Sequence, residues 1–225
     1  MTDLTLVVFD CDGTLVDSLQ MIKQTMEAAY QREGQAMAEG VDVGRYIGLT
    51  LETAIANLSP EFDEQQCHDM AGAYRDIFHE LRREGKMIEP LYPQIRETIT
   101  KLDKAGYVLG IATGKGIRGL NHILETHDMA RFFTTLQTPD SAPGKPHPGM
   151  LENAMNETGA RPENTFMVGD TTYDMEMAVN ADVHAIGVDW GYHEVAELRA
   201  AGAASILSQM PQLEGRLESL LEELR

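Results

Sequence analysis

The chain has 225 residues, 43% of them hydrophobic and 24% charged, enough to bury a core in one main domain with a smaller insertion and unlike a disordered composition. Its formal net charge of −18 sets up a field that repels phosphate backbones and anionic lipid surfaces, so neither nucleic acid nor a membrane is an expected partner. The two cysteines, Cys11 and Cys67, are too few for a disulfide framework and lack CxxC spacing, and the seven histidines show no HExxH or HxH pattern.

In chain order, the opening MTDLTLVVFDCDGT has no basic leader and only a short apolar run, so a cytoplasmic protein is expected, as a monomer or homodimer. Residues 4–10, LTLVVFD, read as a buried strand that delivers acidic side chains at its end. After Ser18, the residues Leu19, Ile22, Met26 and Ala29 recur at helical spacing with Gly34 as a stop. Cys67, Met70, Tyr74, Ile77 and Leu81 repeat that pattern before Gly85. The spacing predicts a helical cap over residues 16–87, inserted into an α/β core built from residues 1–15 and 88–225. Apolar runs at 107–113, 164–170 and 184–190 alternate with helical patterns, the mark of βαβ units and a Rossmann-like parallel sheet. In such sheets ligands bind outside the carboxyl ends of the strands, which here are Asp10, Thr113 and Asp170. The tail LEGRLESLLEELR is an amphipathic helix expected to pack on that core.

Chemistry collects at those ends. Asp10 and Asp12 stand two residues apart at the end of a strand, so both carboxylates face one side, while Cys11 between them turns into the core. A calcium loop would place glycine sixth and glutamate twelfth, but Gly13 follows Asp12 at once and the twelfth position is Met21. Asp170 and Asp174, four residues apart across a strand end and the first helical turn, can converge on one cation. Carboxylates without histidine or thiolate favour Mg²⁺ over zinc. Thr113 and Lys145, in the loop PGKPHP, offer the hydroxyl and ammonium donors that phosphoryl oxygens require.

The ordered set of DCDGT, LVDS, a helical insertion, Thr113, Lys145 and GDTTYD resembles the haloacid dehalogenase superfamily, and within it a phosphoglycolate phosphatase-like member. The resemblance implies hydrolysis of a small phosphorylated metabolite with Asp10 as nucleophile, Asp12 as acid/base, and Thr113 and Lys145 as the phosphoryl clamp. It implies Mg²⁺ held by Asp10, Asp12 through its backbone carbonyl, and Asp170, with Asp174 orienting a metal-bound water. Thr14, Gly114, Lys115 and Arg45 are expected to bind substrate. The sequence departs from many relatives in placing Gly114-Lys115, not asparagine, after Thr113. Arg45, in a glycine-flanked segment of the cap, suits a substrate carboxylate. A sugar-phosphate mutase or a pyrophosphatase of the same fold would share the catalytic set. A non-catalytic binding module would not need it intact.

Overall fold

Leu6–Phe9 form strand β1, and none of its four side chains reaches solvent, as an unbroken apolar run requires when both faces of a sheet are covered. The computed structural model describes residues 4–223. From β1 the chain leaves the sheet for three helices, α1 (Leu19–Arg32), α2 (Leu51–Leu58) and α3 (Glu64–Arg83). It returns through α4 (Ile95–Ala105), β2 (Val108–Ala112), α5 (Ile117–Thr126), β3 (Phe133–Gln137), α6 (Gly149–Thr158) and β4 (Thr165–Gly169). The last part runs α7 (Thr172–Asn180), β5 (His184–Val188), α8 (Val195–Ala200), β6 (Ser205–Leu207) and α9 (Leu213–Glu223).

All six strands pair in parallel in the order β3-β2-β1-β4-β5-β6, as an α/β sheet with helices on its faces. Period-two alternation splits the core: Val7 and Phe9 pack with Ile95, Ile99 and Leu102, while Leu6 and Val8 pack with Met150, Met167 and Met175. Cys11 continues the first set and is fully buried. The strand order runs outward in both directions from β1, so the connections leaving β1 and β4 diverge and open a crevice at their carboxyl ends. Two edge strands escaped the sequence reading. In β3, FTTLQ, polar residues face outward or pair locally and dilute the apolar run, and β6 is only three residues long.

Helices α1 to α3 carry a core of their own, in which Ile22, Met26, Tyr30, Ile55, Met70 and Ile77 meet. α3 starts at a capping box between Asp63 and Gln66, and the chain turns at Gly34 and Gly85 with positive φ, where the stops were expected. The Ser18 hydroxyl does not cap α1; it lies 3.2 Å from the Tyr192 hydroxyl. At the other end of the chain, Leu213, Leu217 and Leu220 seat α9 on the sheet core; Leu224 and Arg225 of the predicted tail helix lie outside the described residues.

The cap docks on the core through Arg45, and this corrects the substrate role expected for it. Both guanidinium nitrogens donate to Glu197 of α8 at 2.6 Å, which fills the fork meant for a carboxylate, and Arg45 does not line the cavity under the cap. Its carbonyl oxygen accepts from the Tyr173 hydroxyl at 3.2 Å and from His193 Nε2 at 3.1 Å. His193 Nδ1 in turn accepts from the Thr172 N–H, which fixes the ring proton on Nε2. Arg45→Ala and Glu197→Ala should therefore depress turnover of carboxylated and uncarboxylated substrates alike. A double-mutant cycle on denaturant midpoints should give only a small coupling, as solvent screening of an exposed pair requires. A selective loss for carboxylated substrates would restore the substrate role.

Candidate active site

Each acidic side chain of the site is delivered by a strand end or the turn after it. β1 ends at Phe9 and β4 at Gly169, and the adjacent pairing Phe9↔Val168 sets Asp10 opposite Gly169 with Asp170 one residue further along. Asp174 sits in the first turn of α7, where a reciprocal capping box with Thr171 holds it: Asp174 Oδ2 accepts from the Thr171 N–H at 3.0 Å and from its hydroxyl at 2.7 Å. Asp170 is held at both oxygens, by the Thr14 hydroxyl at 2.7 Å and the Tyr192 N–H at 2.9 Å. Gly13 closes the turn after Asp12 at φ +86°, and any Cβ there would overlap the Asp170 carboxylate.

Lys145 binds this set together. Its Nζ lies 2.8 Å from Asp10 Oδ1 and 2.6 Å from Asp174 Oδ1, with its side chain wholly buried. Asp10 Oδ2, also buried, has no partner among the described residues. One oxygen each from Asp10, Asp170 and Asp174 lies within 4.8 Å of the others. Three carboxylates thus face one ammonium, and a divalent cation among these oxygen donors would cancel the excess. The residues fit a hard cation. Asp12 stands apart from this cluster: its Oδ1 lies 3.2 Å from Lys115 Nζ, so its carboxylate is not one of the three that converge.

The titration of the groups follows from burial. Burial raises the Asp10 carboxyl to about 7, with Asp174 and Asp12 adding repulsion and Lys145 pulling the other way. Burial, then the charges of Asp10 and Asp174, also hold Asp170 well above the ordinary carboxylate range, against the donors Thr14 and Tyr192. For Lys145 burial alone would lower the value, but Asp10 and Asp174 outweigh it and leave the ammonium more firmly charged than in water.

Thr113, at the end of β2, is buried and its hydroxyl oxygen accepts from the Lys115 N–H at 3.2 Å. Gly114 lies against the cap: a Cβ there would stand 2.5 Å from the Leu49 carbonyl oxygen, so the asparagine of many relatives has no room at this position. Thr14 is corrected from substrate binder to positioner of Asp170, since it is fully buried and its hydroxyl is spent on that carboxylate.

Three contributors were missed. Glu89 Oε1 lies 3.0 Å from Lys115 Nζ, so Lys115 is clamped between Glu89 and Asp12. Burial raises the Glu89 carboxyl while Lys115 lowers it. Tyr192 and His193 follow β5, whose end abuts that of β4; the adjacency of that strand end was the one signal that pointed there.

The chain matches the haloacid dehalogenase-like hydrolase family over residues 7–188. It is 27% identical to a phosphoglycolate phosphatase of Vibrio parahaemolyticus, over 94% of this chain and 95% of that one. It is 31% identical to the pyrophosphatase PpaX of Bacillus velezensis, over 95% and 97%. A crystal structure of a haloacid dehalogenase-like hydrolase from Bacteroides fragilis superposes with a TM-score of 0.84 at 28% identity, covering 94% of this chain and all of that one. The protein is a hydrolytic enzyme of the phosphatase kind, built on a parallel α/β sheet. It belongs to the haloacid dehalogenase-like hydrolase family.

Glu89 acts on the chemistry only through Lys115 and Asp12. Removing it with Glu89→Ala should lower kcat by about tenfold to a hundredfold, the worth of a charge-assisted contact, with KM moving less than threefold. Glu89→Gln, which keeps an acceptor, should recover part of the loss. Steady-state kinetics of both variants, with thermal melting as the folding control, decide this. Wild-type kcat in Glu89→Ala would leave Glu89 a structural residue only.

Proposed function

We propose that the protein is a Mg²⁺-dependent phosphatase that hydrolyses a small phosphorylated metabolite through an aspartyl-phosphate on Asp10. The observation that carries this reading is the buried, unpartnered Oδ2 of Asp10 at the strand switch point, on a carboxylate whose other oxygen lies 2.8 Å from Lys145 Nζ. In the first step Asp10 attacks phosphorus; the bond to the leaving oxygen breaks, and Asp12 gives that oxygen a proton. In the second, Asp12 takes a proton from water as the water attacks the phosphorus of the acyl-phosphate, and inorganic phosphate leaves. Lys145 and the Thr113 hydroxyl serve as donors to the phosphoryl oxygens, and Asp174 keeps Lys145 aimed at Asp10. Asp10, Asp170 and Asp174 are the residues that would hold Mg²⁺, and the ion would supply charge neutralisation between carboxylate and phosphate. A relative named a phosphoglycolate phosphatase supports the monoesterase reading. One named a pyrophosphatase keeps phosphoanhydride cleavage as its rival, since the same residues serve both.

Two measurements test the reading. Asp10→Asn should reduce kcat by roughly 10⁴-fold or more, the scale of losing a nucleophile. Asp12→Asn should still accept a phosphoryl group from p-nitrophenyl phosphate, and mass spectrometry of the trapped protein should find it on Asp10. An active Asp10→Asn protein would sink the covalent route. Chelation with EDTA should abolish phosphate release and Mg²⁺ should restore it; full activity in EDTA would remove the metal from the reaction.

A further inference from the structure

Between the cap and the strand ends lies a cavity of about 660 Å³ that reaches Asp12, Gly114 and Lys115. Phosphoglycolate and pyrophosphate each have roughly nine non-hydrogen atoms. Even at the ~30 Å³ that a water molecule takes in the liquid, either would fill less than half of it. By the same measure the cavity suits a substrate of about twenty non-hydrogen atoms.

This surplus is not the slack of an unseated cap. Gly114 of the core touches the cap backbone so closely that a Cβ would lie 2.5 Å from the Leu49 oxygen and 2.6 Å from the Gly48 oxygen. The Arg45–Glu197 pair, at 2.6 Å, ties the cap to α8 as well. The space persists with those contacts made.

The lining names the chemistry of what fills it. On the cap side stand the apolar Met26, Ala54 and Leu58 and the aromatic Tyr46, Tyr74 and Phe78. The rings of Tyr74 and Phe78 stack within 21° of parallel with centroids 6.2 Å apart, and Lys115 Nζ lies 5.2 Å from the centre of the Phe78 ring. Among these walls are both donors and acceptors: Arg75, paired with Glu52 at 2.5 Å, His79, Arg118 and Asp140. An acyl chain would use the walls and leave the polar groups unmatched, and a two-carbon acid would use the polar groups and leave the walls bare. A flat ring with polar edges uses both.

We infer that this site takes a phosphomonoester whose alcohol carries a flat, polar-edged ring, of the class of nucleoside 5′-monophosphates. The phosphoryl group lies at Asp10, beside the Asp12 end of the cavity, and the ring lies among Tyr46, Tyr74 and Phe78. In hydrolysis the bond from phosphorus to the 5′ oxygen breaks, one from phosphorus to the water oxygen forms, and Asp12 passes the water's proton to the 5′ oxygen, giving nucleoside and phosphate. The reaction rests on the phosphatase reading above; the binding does not.

The test therefore has two arms, the first on the wild-type protein with Mg²⁺ and the second on Asp10→Asn protein. In the first, phosphate release is measured for adenosine and uridine 5′-monophosphates, phosphoglycolate, pyrophosphate and acetyl phosphate. At least one nucleotide should exceed phosphoglycolate and pyrophosphate in kcat/KM by tenfold or more. Equal or better use of either small substrate overturns the inference, whereas failure to hydrolyse any of them, acetyl phosphate included, overturns the phosphatase reading. In the second arm, calorimetric titration of Asp10→Asn protein with adenosine 5′-monophosphate should give a Kd at least tenfold below that for phosphoglycolate, whatever the turnover. Ala54→Trp, which fills the cavity from α2, should weaken nucleotide binding at least tenfold more than phosphoglycolate binding. If that variant does not fold, the binding ratio measured on Asp10→Asn protein decides alone, and a ratio near one overturns the inference.

Discussion

The ammonium of Lys145, buried between Asp10 and Asp174, is the contact on which the site depends. Three carboxylates brought out of water at neighbouring strand ends repel one another and each loses hydration, so they stay together only around positive charge. One lysine meets part of that need. The remainder is expressed in the raised carboxyls of Asp10 and Asp170 and in a set of oxygen donors suited to a divalent cation. Everything near the cluster serves to keep it assembled: Gly13 makes room for Asp170, Thr14 and the Tyr192 N–H hold both its oxygens, and Thr171 fixes Asp174. Asp10 Oδ2 is buried and has no partner among the described residues, which leaves a lone pair of the proposed nucleophile free.

Cap and core divide the labour. The core brings the charged groups together at the switch point of the sheet, where diverging connections leave space that neighbouring strands elsewhere do not. The cap, with its own apolar core, brings walls and no member of the acidic cluster. Its seating relies on backbone as much as on charge: the Arg45 carbonyl takes two hydrogen bonds from the core while the side chain pairs with Glu197. Glu89 lies on the segment by which the chain returns from the cap, and through Lys115 it reaches Asp12. Asp12 is thereby tied to the segment that leads back from the cap and not only to its own loop.

What the sequence determined by itself was whatever is encoded locally. A fully apolar strand, helices with stops at glycine, and carboxylates two or four residues apart all depend on spacing along one segment, so four strands and the helical run after β1 were legible, as was the placing of Asp10, Thr113 and Asp170 at strand ends. Edge strands β3 and β6 were not, because a strand covered on fewer sides needs less apolar sequence to hold it. Tertiary structure alone decided the partners of residues far apart in the chain. Arg45 looked like a substrate reader until Glu197, 152 positions away, filled its guanidinium; Thr14 looked like a substrate contact until Asp170, 156 positions on, took its hydroxyl. Glu89 carried no motif at all. An isolated charge or hydroxyl advertises only that it needs a partner, and the identity of that partner, with the size of the cavity left beside it, is fixed when the sheet and the cap close around them.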